Sequence, residues 1–234
     1  MRLDKFVATN TSLSRKEAKK SIKAGKVIVD GVPIQDERYA VSPAQEVFVE
    51  GNPVMGKEHV YLMLNKPKGV LSATKDAKEP TVIDFVQDIE RELFPVGRLD
   101  KDTEGFLLLT DDGLLAHRLL SPAYHVPKTY YVEYSGVLRE DAVAWVERGL
   151  DIGEKKLTKP GSLRLLSEGS AELTIEEGKF HQVKRMIAVL GGKVTYLKRI
   201  SMGGILLDDM LAPGQYRELT EQEYICLLEQ VEKK

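Results

Sequence analysis

Phe94-Pro-Val-Gly-Arg98-Leu-Asp100-Lys-Asp102-Thr103-Glu104-Gly105-Phe-Leu-Leu-Leu-Thr-Asp-Asp-Gly113 is the densest stretch of the chain. A short extended run leads into a polar loop with carboxylates at 100, 102 and 104. Out of that loop comes Phe106-Leu-Leu-Leu109, a strand-sized apolar run whose lack of polar alternation suits a buried strand. Asp111-Asp112-Gly113 then reads as a turn. A polar loop between two buried strands is a usual place for catalytic groups, because the strands hold it rigid while it reaches water. On residue type alone Asp102 and Glu104 also read as helix caps or solvated charges. A carboxylate pair would suit glycoside hydrolysis too, but nothing in the spacing supplies the separation such a pair requires.

On the N-terminal side of this segment, Val60 to Leu64 reads as a strand, Asn65-Lys66-Pro67-Lys68-Gly69 as a turn and Val70 to Ser72 as a second strand. Thr81 to Leu93 reads as a helix. On the C-terminal side Lys128 to Tyr134 is a strand, with Tyr130 and Tyr134 on one face and Tyr131 on the other. Ser170 to Glu176 is another. A helix is expected from Phe180 to Leu190, stopped by Gly191-Gly192, with Phe180, Val183, Ile187 and Leu190 as its apolar stripe. His181, Lys184 and Arg185 fall on its opposite side, and a cationic face beside a carboxylate favours the charged form of that carboxylate. Thr220 to Glu232 reads as a helix whose Tyr224, Leu227, Leu228 and Val231 pack on the sheet.

The first sixty residues have a different texture. Leu3, Phe6 and Val7 give a short helix with one apolar face. Ser14 and Glu17 form a capping box for a second helix that runs to Ala24 and stops at Gly25. On it Lys16, Lys19, Lys20 and Lys23 share a face by i, i+3, i+4 and i+7 spacing, with Arg15 at its start. Asp30-Gly31 between apolar runs signals a type I′ hairpin. Glu46 to Glu50 is a short strand, and Gly51-Asn52-Pro53 followed by Gly56-Lys57-Glu58 breaks the chain. A domain boundary is expected there, giving domains 1–58 and 59–234.

Composition narrows the function class. The chain has 234 residues, 42% hydrophobic and 30% charged, with net charge −2. That suits a globular protein of one large or two small domains. No apolar run approaches the roughly 18 residues of a membrane span. The N-terminus has no secretory h-region, so a cytoplasmic protein is expected. One cysteine, Cys226, excludes an internal disulfide and a cysteine-built zinc site, and the four histidines lack metal-ligand spacing, so no metal is expected. Charge is uneven: residues 1–30 hold eight Lys/Arg against three Asp/Glu, and 176–199 hold six against two. Two basic islands on an acidic body suggest a polyanion contacted at two places.

The N-terminal block resembles the S4 RNA-binding domain through Arg2-Leu-Asp-Lys-Phe, Leu13-Ser-Arg-Lys-Glu-Ala and Gly25-Lys-Val-Ile-Val-Asp-Gly. The resemblance implies that Arg2, Ser14, Arg15, Lys19, Lys20, Lys23 and Lys26 meet RNA. Four later segments, Asn65-Lys-Pro-Lys-Gly-Val, Gly97-Arg-Leu-Asp-Lys-Asp-Thr-Glu-Gly105, Lys128-Thr-Tyr130 and Gly178-Lys-Phe-His-Gln-Val-Lys184-Arg-Met, resemble the pseudouridine synthases of the RsuA/RluA superfamily. Together the two resemblances cover the chain.

They imply an α+β protein: a small α-L, S4-like domain, then a catalytic domain around a largely antiparallel mixed sheet. They imply isomerisation of a uridine to pseudouridine in ribosomal RNA without cofactor or metal. Asp100 falls on the essential aspartate, Tyr130 on the tyrosine that stacks on the base, and Lys184 on the basic partner of the aspartate, a role open also to Arg185. Lys66, Arg98, Thr103, His181, Gln182 and Arg185 fall on the substrate-binding motifs. The chain starts directly at the S4-like block and has no long basic tail, so the RsuA-type branch and 16S rRNA are expected, free or within an assembling small subunit, with 23S rRNA second. A monomer is expected. A binding-only assembly factor and a nucleoside glycosidase are the competing functions.

Overall fold

The computed structural model describes residues 1–42, 45–54 and 59–232. The chain divides into two compact units, Met1–Glu58 and His59–Lys234.

The first unit opens with α1 (Leu3–Asn10) and α2 (Arg15–Lys23). Leu3, Phe6 and Val7 are buried against Ala18 and Ile22 of α2. Ser14 caps α2 as expected: its hydroxyl accepts from the Glu17 amide, and the Glu17 carboxylate accepts from the Ser14 amide at 2.8 Å. Four short strands follow, β1 (Val27–Val29), β2 (Val32–Pro33), β3 (Val47–Val49) and β4 (Asn52–Val54), in the order β2-β1-β3-β4. Asp30 and Gly31 both have positive φ, 49° and 79°, the conformation a type I′ turn demands. Gly51-Asn52-Pro53 is not a chain break. Glu50 and Gly51 repeat the positive-φ pair, at 52° and 83°, and turn the chain back into β4. The expected boundary residues Gly56-Lys57-Glu58 lie outside the described residues.

The second unit is built on one sheet. Its strands are β5 (Tyr61–Lys66), β6 (Phe94–Pro95), β7 (Glu104–Thr110), β8 (Lys128–Gly136), β9 (Ser162–Ser167), β10 (Ser170–Ile175), β11 (Gly192–Met202), β12 (Ile205–Leu206) and β13 (Tyr216–Glu218). The main path runs β13-β5-β7-β11-β8-β10-β9. Every pairing is antiparallel except β7 with β11, so the sheet is mixed and largely antiparallel as expected.

Period-two alternation sorts the central strands into two cores. Leu62, Leu64, Leu107 and Leu109 enter one, with Tyr130, Val132 and Leu197. That face is covered by α4 (Ala142–Arg148) and α5 (Gln182–Val189). Met63, Phe106 and Leu108 enter the other core, under α3 (Gly113–Leu120) and α6 (Glu221–Glu232). Burial on both faces is why Phe106 to Leu109 carries no polar alternation. Tyr224, Leu227, Leu228 and Val231 of α6 all join the second core, as their spacing predicts.

Three expectations for the second unit are corrected. Thr81 to Leu93 is not a helix; only Val82–Phe85 forms a 3₁₀ turn, whose start is capped by the Asp84 carboxylate accepting from the Thr81 amide at 2.7 Å. Val82, Val86 and Leu93 are buried as a helical stripe would be. The segment between them is held by short-range turns and by Arg91 on Asp111 at 3.0 Å, so tertiary contacts replace the helical ladder. Val70 to Ser72 forms no strand, only a bridge from Leu71 to Thr81. Phe180 is 74% exposed rather than part of the α5 stripe, because the helix begins two residues later, after His181 in the left-handed region at φ 49°.

Candidate active site

The loop between β6 and β7 carries Asp100, and its backbone is held from several sides. Ser72 brackets Leu99: its hydroxyl donates to the Leu99 carbonyl at 2.9 Å and accepts from the Leu99 amide at 3.0 Å. The Gly69 amide donates to the Lys101 carbonyl at 2.7 Å, and the Thr103 amide closes a turn onto the Asp100 carbonyl at 3.0 Å. Tyr196 on β11 donates to Glu104 at 2.8 Å. Gly105 ends the loop at φ 99°, where a Cβ would lie 2.2 Å from the Arg199 carbonyl oxygen, so no other residue fits this crossing of β7 and β11.

Lys66 is the strut beneath this loop. Its side chain is wholly buried, and its ammonium donates to the carbonyls of Thr103 at 2.8 Å and Pro67 at 3.0 Å, with Lys101 at 3.4 Å. It therefore does not face RNA directly, contrary to its place among the expected binding residues. An ammonium spans three converging carbonyls because it has three donors and no acceptor.

The start of α5 supplies the partner of Asp100. Lys184 Nζ lies 2.9 Å from Asp100 Oδ2 and 2.6 Å from Asp102 Oδ1. His181 Nε2 lies 3.6 Å from Asp100 Oδ1, and its ring stacks on Phe180 with centroids 3.8 Å apart. Arg185 points elsewhere, to Glu154 at 2.7 Å and to the carbonyls of Phe180 and Ile152. It is Lys184, not Arg185, that meets the aspartate. Gln182 is buried and caps its own turn: its side-chain oxygen accepts from the Lys179 amide, and its amide group donates to Glu177. Its contacts hold the helix start rather than open toward Asp100.

The remaining expected residues divide in the same way. Arg98 is exposed and has no ion pair or hydrogen bond among the described residues. Thr103 is buried, and its hydroxyl has no partner among the described residues. Tyr130 is 8% exposed on β8. It stands opposite Arg199 of β11, which in turn pairs with Gly105 of β7. One row of the sheet thus runs from the end of the Asp100 loop to Tyr130, a span of about 10 Å at ~4.8 Å per strand. Arg199 itself is buried where β7 and β11 part, donating through Nε to the Phe106 carbonyl at 2.6 Å. Asp111 and Asp112 are structural, as their turn context predicts: Asp111 holds Arg91 and His59, and Asp112 caps α3.

The basic face of the first unit is organised by a carboxylate. Asp4 is fully buried, and Arg2 at 3.0 Å, Arg15 at 3.4 Å and Lys19 at 3.8 Å converge on it. Burial raises its pKa, but Arg2 and Arg15 more than offset this and the net shift is downward. Lys19 and Lys23 also meet Glu37, and Lys26 meets Glu50 at 2.8 Å. Lys16 and Lys20 are exposed with no ion pair among the described residues. Ser14 is engaged in its capping box.

Sequence reasoning did not single out Ser72, Arg199, Tyr196 or the strut role of Lys66. A lysine closing an apolar strand directly before proline was the one available signal; Arg199 follows Lys198 in a strand of mixed polarity and carried none.

Electrostatics of the second unit predict an unusual pH profile of stability. Desolvation lowers the pKa of Lys66 to about 8, despite the nearby Asp102, Glu104 and Asp100. Desolvation, with Arg199 adding to it, lowers Lys128 to about 8. An unfolded lysine titrates near ~10.4. Between these values the unfolded chain binds more protons than the folded one, so stability rises with pH. The phenols of Tyr61 and Tyr196 are shifted the opposite way, first by burial and then by neighbouring hydroxyl or carboxylate groups. Above pH ~10 the folded state holds their protons more tightly, and stability falls. Denaturant melts at pH 7.5, 10 and 11 are expected to show a rise of about 4 kcal/mol and then a decline. A monotonic fall from pH 7.5 would mean that the two ammoniums are not desolvated.

Comparison with known proteins agrees with this architecture. Residues 60–189 match the model of the RNA pseudouridylate synthase family, and residues 1–47 match that of the S4 domain. An uncharacterized RNA pseudouridine synthase of Bacillus subtilis, YtzG, is 51% identical over 98% of this chain and 99% of its own. Ribosomal small subunit pseudouridine synthase A of Escherichia coli K12 is 42% identical over 95% and 98%. A pseudouridylate synthase crystal structure superposes with TM-score 0.70 at 40% identity, covering 97% of this chain and 99% of that one. With both units matched in order and the Asp100 loop inside the matched region, the chain belongs to the RNA pseudouridylate synthase family and carries an S4 domain ahead of its catalytic fold.

Proposed function

We propose that this protein converts one uridine of 16S ribosomal RNA to pseudouridine in the cytoplasm, with Asp100 as its nucleophile or base. The observation that carries the reading is the Asp100 carboxylate, gripped by Lys184 at 2.9 Å on a loop whose backbone is clamped by Ser72, Gly69 and Lys66. The small-subunit target is favoured by relatives named for that subunit at 42–43% identity over nearly the whole chain.

The reaction breaks the N1–C1′ bond, turns the uracil and forms a C5–C1′ bond, with the C5 proton released to solvent and a proton taken up at N1. A positioned carboxylate serves either of two routes: attack on C1′, or removal of a sugar proton to give a glycal. In this reading the target uridine leaves its stack at a cost of a few kcal/mol and rests against Tyr130. Lys184 orients the carboxylate. Desolvation lowers its pKa, but Asp102 and Asp100 more than offset this, so the ammonium stays charged. In this reading His181, 3.6 Å from Asp100, and the exposed Arg98, which has no partner among the described residues, are left to meet the RNA strand.

The S4 domain contributes affinity and register through phosphate contacts. Its cations have separate duties in this reading: Arg2, Arg15 and Lys19 are tied to Asp4, while Lys16 and Lys20 are free. Lys16→Gln with Lys20→Gln is expected to leave stability within about 0.5 kcal/mol. The same pair is expected to lower the salt slope of RNA binding by about 1.4 or more. Asp4→Asn is expected to cost about 2 kcal/mol in unfolding free energy, since it strips the buried anion from three converging cations. Equal stability of the two variants would remove the distinction.

The test of function is pseudouridine mapping on 16S and 23S rRNA from cells with and without the gene. Loss of a single 16S site, restored by the wild type and not by Asp100→Asn, is the expected result. Loss of a 23S site would overturn the choice of RNA. Unchanged patterns in both would leave the binding-factor reading.

A further inference from the structure

Beside the Asp100–Lys184 pair lies a cavity of about 330 Å³, within the range for small-ligand pockets. One wall is the edge of β11. Residues 192–197 of β11 pair with β8 on one side, while β7 reaches β11 only at Lys198 and Arg199. Their other edge therefore has no strand among the described residues. Val194, Tyr196, Leu197 and, from α5, Ala188 give this wall an apolar surface. Tyr196 is fixed there by its bond to Glu104 and by an edge contact with Tyr131 at 6.2 Å.

The cations at the rim are the informative feature. Lys68 and Lys193 both line the cavity, both are exposed, and neither has an ion pair or hydrogen bond among the described residues. Most other cations around this site are committed: Lys184 to Asp100 and Asp102, Lys101 to Glu79, Arg185 to Glu154. The one acid in the cavity wall, Asp102, is matched by Lys184 at 2.6 Å. The cavity thus joins an apolar slot to two unneutralised ammoniums, directly beyond the carboxylate that acts on the target nucleotide.

We infer that this cavity is a second nucleotide subsite. It holds the residue adjoining the target uridine on the same RNA strand, with its base against the Tyr196–Leu197 wall and its phosphate between Lys68 and Lys193. The inference rests on the pseudouridine synthase reading of Asp100. It assigns Lys68, Lys193 and Tyr196 a part in gripping RNA that the motif residues alone do not supply. Two lysine ammoniums serve a phosphate as point charges without demanding one base, so the subsite holds register more than it reads sequence.

The test uses the full chain in an Asp100→Asn background, binding a 16S rRNA transcript across a salt series. Lys68→Gln with Lys193→Gln is expected to reduce the slope of log K against log salt by about 0.7, the value for one single-strand phosphate. Lys155→Gln with Lys156→Gln, which removes equal charge at exposed residues that do not line the cavity, is the control and is expected to change the slope far less. Equal slopes for the two doubles overturn the subsite. Ala188→Phe, with Asp100 intact, fills the slot without touching charge. It is expected to lower kcat/KM at least about tenfold, and unchanged kcat/KM would equally overturn it. Tritium release from 5-tritiated uridine in the same transcript judges the isomerase reading separately. If the wild type releases none, that reading fails, while the salt slopes still decide whether the cavity grips RNA.

Discussion

Asp100→Asn is expected to lower turnover by at least about four orders of magnitude, the scale on which loss of a catalytic nucleophile or base acts. RNA affinity is expected to stay within about threefold, because the change is nearly isosteric and removes an anion rather than a contact to phosphate. The amide oxygen still accepts from Lys184, which keeps Asp102 at 2.6 Å as its charged partner. The fold has little reason to respond, since the carboxylate is about a quarter exposed and its backbone bonds do not involve the side chain. Single-turnover tritium release and filter binding on the same preparation measure both quantities. Residual activity within tenfold of wild type would sink the assignment of Asp100.

Lys66→Met is expected to separate catalysis from stability. Two opposing terms of similar size act on the fold. Losing the ammonium strands the carbonyls of Thr103 and Pro67, which now share two good hydrogen bonds with it, at roughly 1–3 kcal/mol each. Against this, the buried charge no longer has to be desolvated. Its pKa, lowered to about 8, marks a penalty of about 3 kcal/mol. The net change in unfolding free energy is expected to be small, within about 2 kcal/mol. Catalysis has no such compensation. Lys66 ties residues 67, 101 and 103 into one frame around Asp100, and a displacement of about 1 Å at a reacting group costs on the order of a hundredfold. The expected result is kcat reduced about 10²-fold, with KM and the melting midpoint little changed. A variant that keeps its kcat would show that Ser72 and Gly69 hold the loop alone. A variant that fails to fold would show that the carbonyls matter more than the desolvation.

These two residues also mark how far sequence reading reaches. Asp100 is visible in the sequence because a polar loop between apolar strands is a local pattern, and the Gly97–Gly105 motif repeats a family signature. The α1 stripe, the α2 capping box, the Asp30-Gly31 turn and the α6 stripe are equally local, and the structure shows each of them. Thr81 to Leu93 is the counter-example. Its apolar spacing is helical, yet burial of Val82, Val86 and Leu93 and the Arg91–Asp111 pair satisfy that spacing without a helix. Phe180 continues the α5 pattern by one step too many, because the left-handed turn at His181 starts the helix after it.

What the sequence by itself determined is the set of parts: an S4-like block, a catalytic fold on a mixed sheet, a loop bearing Asp100 and a helix bearing Lys184. The loop and the helix depend on residues within a turn or a strand of one another, where propensity and periodicity act directly, while the S4-like block and the catalytic fold followed from resemblance to known families. Only the tertiary structure decided which parts meet. Lys184 and Arg185 are neighbours in sequence and indistinguishable by charge, and the turn of α5 alone sends one to Asp100 and the other to Glu154. Lys66 and Lys68 stand two residues apart, one wholly buried under three carbonyls and the other free at the rim of a cavity. The difference comes from chain crossings between residues 30 to 130 positions apart, and no local pattern encodes where a strand thirty or more residues away will place its edge.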